Sequence, residues 1–111
     1  MKIATRNDWD VKDMPENNAL FTLERAFSEE EIEALRRGNI PQEMEDKWFW
    51  FMEGDTLYAY RSWTGICVYI IEFSFRDNRH KVTVNRDPTQ YGGDSIEEER
   101  KRLNELLNWW T

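Results

Sequence analysis

The run Arg61-Ser62-Trp63-Thr64-Gly65 concentrates more chemistry than any other five residues of the chain. A guanidinium offers a planar fork that matches phosphate or carboxylate. An indole stacks on a base or a sugar ring. The two hydroxyls add donors and acceptors, and glycine lets a backbone come close to a bound molecule. Together they describe the rim of a pocket for an anionic, ring-containing small molecule, such as a nucleotide or an ADP-ribose derivative. In that reading Arg61 holds phosphate, Trp63 stacks, and Lys47 and Arg86 add positive charge. The competing reading is a plain β-turn whose indole folds onto the core, whose arginine pairs with a surface acid and whose glycine supplies a positive φ.

A second cluster comprises Trp48, Trp50, Tyr58, Tyr60 and Tyr69. If Tyr58 and Tyr60 share a sheet face with one tryptophan, they form an aromatic platform of the kind that receives bases, sugars or partner proteins. Otherwise these rings stabilise the sheet as cross-strand pairs. His80, the sole histidine, sits in Arg76-Asp77-Asn78-Arg79-His80, which reads as an exposed hairpin turn. Cys67, the sole cysteine, reads as a small core hydrophobe at the far end of the preceding strand, out of reach of His80. No nucleophile–base spacing is visible, so a hydrolase or transferase working through Glu72 or His80 has the least support. One cysteine and one histidine cannot supply a tetrahedral zinc site, and no calcium-loop spacing occurs; the reading calls for no metal and no cofactor. Gly92-Gly93 ahead of a helix suggests a phosphate turn, but Asp94, Glu97, Glu98 and Glu99 crowd that terminus and would repel an anion.

The elements that must position these residues follow from periodicity and capping. Ser28 and Glu31 form a capping box, Glu29–Glu31 and Arg36–Arg37 complement the helix dipole, and Gly38 followed by Pro41 ends the turn; a helix is predicted over 29–37. Residues 48–52, 56–60, 66–75 and 81–85 read as four strands of an antiparallel meander with short connections. On the third, Cys67, Tyr69, Ile71, Phe73 and Phe75 are expected on one face, and Ile66, Val68 and Ile70 on the other. After a loop with Pro88 and two glycines, Asp94 or Ser95 caps a second helix. Its apolar stripe is Ile96, Leu103, Leu106, Leu107 and Trp110, and Glu97–Glu99 with Arg100–Arg102 make a solvated outer face. Residues 20–27 read as a short strand or a loop. Residues 1–18 read as an extension or edge segment, leaving 19–111 as a single domain. The expected fold is α+β: a four-stranded antiparallel β-meander, one short N-terminal helix, and one C-terminal helix packed on the sheet.

Lys47-Trp48-Phe49, Leu57-Tyr58, Arg61-Ser62-Trp63-Thr64-Gly65 and Tyr69 make a pattern that resembles a set of small bacterial and phage proteins with the same Lys-Trp-Phe … Leu-Tyr … Arg-Ser-Trp-Thr-Gly arrangement. The pattern also resembles stretches found near ADP-ribose-related macro domains. The resemblance covers residues 47 to 75 and carries over no activity residue by residue; it favours the ligand-pocket reading.

Composition bounds the partners. The net charge of −7 disfavours non-specific contact with nucleic acid or an anionic membrane. Residues 47 to 86 nevertheless hold six basic against four acidic side chains, so the predicted sheet is locally positive. An acidic exterior also suits a protein-interaction module, an inhibitor, immunity or anti-defence protein facing a basic partner. Trp109, off the apolar stripe, is a candidate hot spot for a partner or for a homodimer. A single cysteine requires no oxidising compartment, and no apolar run approaches a membrane span; the cytoplasm is the expected location.

Overall fold

The computed structural model describes residues 2–111. Five antiparallel strands form one sheet, β1 (Asn18–Glu24), β2 (Trp48–Glu53), β3 (Thr56–Arg61), β4 (Cys67–Glu72) and β5 (Arg79–Asn85), in the order β1-β5-β4-β3-β2. Two helices, α1 (Glu29–Arg37) and α2 (Ile96–Trp110), complete the α+β architecture. No helix is long and apolar enough to cross a membrane.

The sheet thus has five strands rather than four. The additional one is β1, which pairs with β5 along seven residues, from Asn18 opposite Asn85 to Glu24 opposite Arg79. Its pattern is a clean period of two: Ala19, Phe21 and Leu23 turn toward the core, while Leu20, Thr22 and Glu24 face out. Strands β2 to β5 form the meander, and β1 closes its far edge.

Two cores lie on opposite faces of the sheet. On one face Leu57, Ala59, Ile71, Val82 and Val84 pack with Leu103, Leu106 and Leu107 of α2 and Leu35 of α1. On the other, Phe49, Phe51, Tyr60 and Cys67 pack with Ala4, Trp9, Val11 and Met14. Residues 2–14 therefore act as a strap across the second face. It contains one 3₁₀ turn, Arg6–Asp8, and is tied down by Ala4 N–H to the Arg37 carbonyl (2.8 Å), Lys12 N–H to the Gly65 carbonyl (2.8 Å) and the Trp9 indole N–H to the Ser62 carbonyl (2.9 Å).

A β-bulge reassigns the faces of β4. Tyr60 pairs with Cys67 and Ala59 with Tyr69, so Val68 is the extra residue. Cys67 consequently joins the strap-side core, while Val68, Tyr69 and Ile71 join the helix-side core. Strict alternation had placed Cys67 with Tyr69 and Val68 opposite; one inserted residue inverts both assignments.

The capping geometry is local and follows the sequence. Ser28 Oγ accepts from Glu31 N–H (3.1 Å), and the Glu31 carboxylate accepts from Ser28 N–H (2.8 Å). Ser95, not Asp94, caps α2. Gly38, just past α1, adopts φ +70°, and a β-carbon there would stand 2.5 Å from the Trp50 carbonyl.

Candidate functional site

The residues of the Arg61–Gly65 run separate into three environments. In register, Arg61 lies opposite Trp48 on the edge pair β2–β3, so both project from the helix-side face. The Arg61 guanidinium sits 5.3 Å from the Trp48 ring centroid. Ser62 is buried: its N–H donates to the Lys47 carbonyl and its hydroxyl donates to the Asp46 carbonyl, 2.9 Å each. Both groups extend the β2–β3 ladder, and no hydroxyl is left for a ligand. Trp63 is 72% exposed and leans the other way, its N–H donating to the Met44 carbonyl (3.0 Å) in a shallow groove with Trp9 and Pro41. Thr64 Oγ1 accepts from Ile66 N–H (3.3 Å). Gly65 does let a backbone approach, but it is the protein's own: a β-carbon here would lie 2.3 Å from the Asp10 carbonyl of the strap.

The other expected contributors also divide. Tyr58 and Tyr60 lie on the strap-side face, stacked with Phe51. Tyr60 is buried, and burial drives its phenol well above the usual range. The Arg6 guanidinium sits 4.9 Å from the Tyr58 ring and bonds to Glu53, closing that surface. Arg86 donates to the Asp94 carbonyl and stands 4.0 Å from Glu99 Oε2. Lys47 lines a groove on the helix side of the sheet.

That groove opens beside the β2 edge of the sheet. Its walls are four tryptophans, Trp48 and Trp50 from β2 and Trp109 and Trp110 from the end of α2; Asn39, Glu45, Asp46 and Lys47 form the polar rim. It encloses about 640 Å³, within the ordinary range of small-molecule sites, roughly 300–1,000 Å³. Alternation along β2 puts Trp48 and Trp50 on one face. The Trp50 and Trp110 rings stack at 4.5 Å, and Trp48 meets Trp110 edge-on at 5.6 Å. Trp50 is anchored by its N–H to the Leu35 carbonyl (3.2 Å). Trp109, 83% exposed, stands clear of the core.

The rim carries both signs of charge. Lys47 and Glu45 on the rim, and Arg61 beside the Trp48 wall, form no salt bridge among the described residues. Asp46 is fixed: Asn39 Nδ2 donates to both its carboxylate oxygens (3.1 Å each) and to the Trp48 carbonyl (2.9 Å). The structure brings Arg61 against Trp48, with Lys47 on the adjoining groove rim, and sends Trp63 to a separate groove. Period-two spacing of Trp48 and Trp50, and Trp110 on the α2 stripe, were the signals for the groove's walls; Asn39, Glu45 and Asp46 carried none.

Two residues read as solvated are buried. Glu99, assigned to the outer face of α2, is fully enclosed. Its Oε1 accepts from the Tyr69 hydroxyl (2.8 Å) and the Tyr91 hydroxyl (2.9 Å), with Arg102 at 3.4 Å, while Oε2 has no hydrogen-bond partner. Burial, with Tyr91 and Glu99 beside it, holds the Tyr69 phenol far above its usual range. His80, read as an exposed turn residue, lies in β5 beneath Phe27 and Phe73. The His–Cys dyad is absent in fact as in expectation, since His80 faces the helix-side core and Cys67 the strap-side core. Burial pushes the Cys67 thiol up to about 12, so it is inert as a nucleophile. No cluster of metal-ligating side chains occurs among the described residues.

Fold and groove together define a five-stranded antiparallel α+β domain with an open tryptophan-lined site at the sheet edge. Comparison with family models, curated proteins and solved structures finds no match to this chain.

Proposed function

We propose that this domain is a small-molecule binding module whose anionic, ring-containing ligand sits in the tryptophan groove, with Arg61 and Lys47 holding its negative group. The observation that carries this reading is an open aromatic groove with Lys47 on its rim and Arg61 set against its Trp48 wall, neither cation engaged by a carboxylate among the described residues. Charge-assisted, bidentate contact is what an uncommitted guanidinium offers. The test is a thermal-shift panel of nucleotides, sugar phosphates and uronates. A ligand that raises the melting temperature of the parent protein is expected to lose that effect in Arg61→Ala, while the unliganded melt stays nearly unchanged because Arg61 is exposed. Equal destabilisation of the unliganded variant, or no response to any of these compounds, overturns the reading.

A second reading, docking of a basic protein partner, draws on the exposed pair Met44 and Trp63 beside Glu43. It predicts a co-purifying protein that salt releases; association insensitive to salt counts against it.

A further inference from the structure

We infer that the ligand of the tryptophan groove is an acidic saccharide, a pyranose carrying carboxylate or sulfate, rather than a nucleotide; this rests on the groove being the ligand site. A base held between aromatic rings requires two parallel rings separated by the thickness of a third. Trp48, Trp50 and Trp110 offer no such slot. The parallel pair, Trp50 and Trp110, is already in contact at 4.5 Å, and Trp48 stands at 67° to Trp110. Trp48 is further engaged by Tyr69, stacked at 6.1 Å, and by the Arg61 guanidinium.

What remains is the indole of Trp109, a single exposed wall. A pyranose suits such a wall. One face of the chair presents several C–H bonds whose partial positive charge meets the negative face of the π system. The rim fits hydroxyls better than a base edge. The Glu45 carboxylate accepts and Lys47 donates, while the Asp46 carboxylate, held in place by Asn39, offers its remaining lone pairs. Sugar hydroxyls each donate and accept, so they satisfy this mixture in several orientations, whereas a base edge has a fixed sequence of donors and acceptors. Arg61, beside the Trp48 wall, supplies the fork for carboxylate or sulfate.

The test is an array of uronate-, sialate- and sulfate-bearing oligosaccharides with their neutral counterparts, probed with the full chain. It is run alongside tryptophan-fluorescence titrations with GMP, AMP and ADP-ribose. Retention on acidic glycans is expected, weakened at least tenfold by Trp109→Ala and reduced to the neutral-glycan level by Arg61→Ala, both variants melting as the parent does. Equal retention of neutral glycans overturns the acidic assignment. Nucleotide binding with no glycan retained overturns the saccharide inference and leaves the groove as an anion-and-ring site. Silence from both probes overturns the inference and the binding-module reading together.

Discussion

The imidazole of His80 is held by two backbone groups. Ser74 N–H donates to Nδ1 (3.1 Å), so the neutral ring carries its proton on Nε2, which donates to the Arg25 carbonyl (2.8 Å). Desolvation lowers its pKa, outweighing the Arg25 carbonyl and Asp77, which push it up. In the unfolded chain a histidine titrates near about 6.5. Between that value and the depressed native one, the unfolded chain binds more protons, so stability falls as the pH drops through this window. We expect the urea midpoint to decline as the pH falls from about 7 toward about 5, and His80→Gln to flatten that decline. A midpoint with the same slope in both proteins would show that other groups are responsible. Glu99 and His80 were both illegible for one reason. A charged or polar residue type predicts exposure, and only tertiary structure supplies the tyrosines, arginine and carbonyl that make burial tolerable. That Arg61 would meet an indole was legible, but not which one, because the register of β2 against β3 puts it on the face of Trp48.

Elements built from local signals were readable; where a distant partner decides, as for residues 20–27, the reading stayed open between strand and loop. The α1 capping box is closed by residues three apart and was visible as Ser28 and Glu31. Strand β1 depends on β5, some sixty residues later, and nothing in residues 18–24 announces that partner. The bulge at Val68 was equally silent, since its neighbours are all apolar. The β3–β4 connection shows how tightly such joints are built. Gly65 adopts φ +72°, and the strap passes against it. Gly65→Ala should therefore destabilise the protein by more than about 1–2 kcal/mol, the ordinary cost of a left-handed L-residue, because the Asp10 backbone must also move. Chemical denaturation measures this; an unchanged midpoint would mean the strap does not rest on that turn.

At the scale of the molecule, the segment read as an extension or edge segment packs on the sheet. Ala4, Trp9 and Val11 cover Phe49, Tyr60 and Cys67, and the Trp9 ring stacks on Phe49 at 5.9 Å. A chain beginning at Met14 should lose several kcal/mol, roughly 1.5–3 for each large side chain uncovered, and self-associate through the bared aromatic face. Light scattering and a thermal melt would show it; a monomeric, equally stable truncation would make the strap dispensable. The groove survives this change on paper, because it lies on the opposite face, so binding and folding can be examined separately.

Strand β4 is gripped from both sides of the sheet at once. Cys67 and Val68 are joined by a peptide bond yet committed to different interiors. An interior that loosens pulls on the other through that bond, so the two halves should unfold in one cooperative transition, and probes placed on either side of the sheet are expected to report a common midpoint.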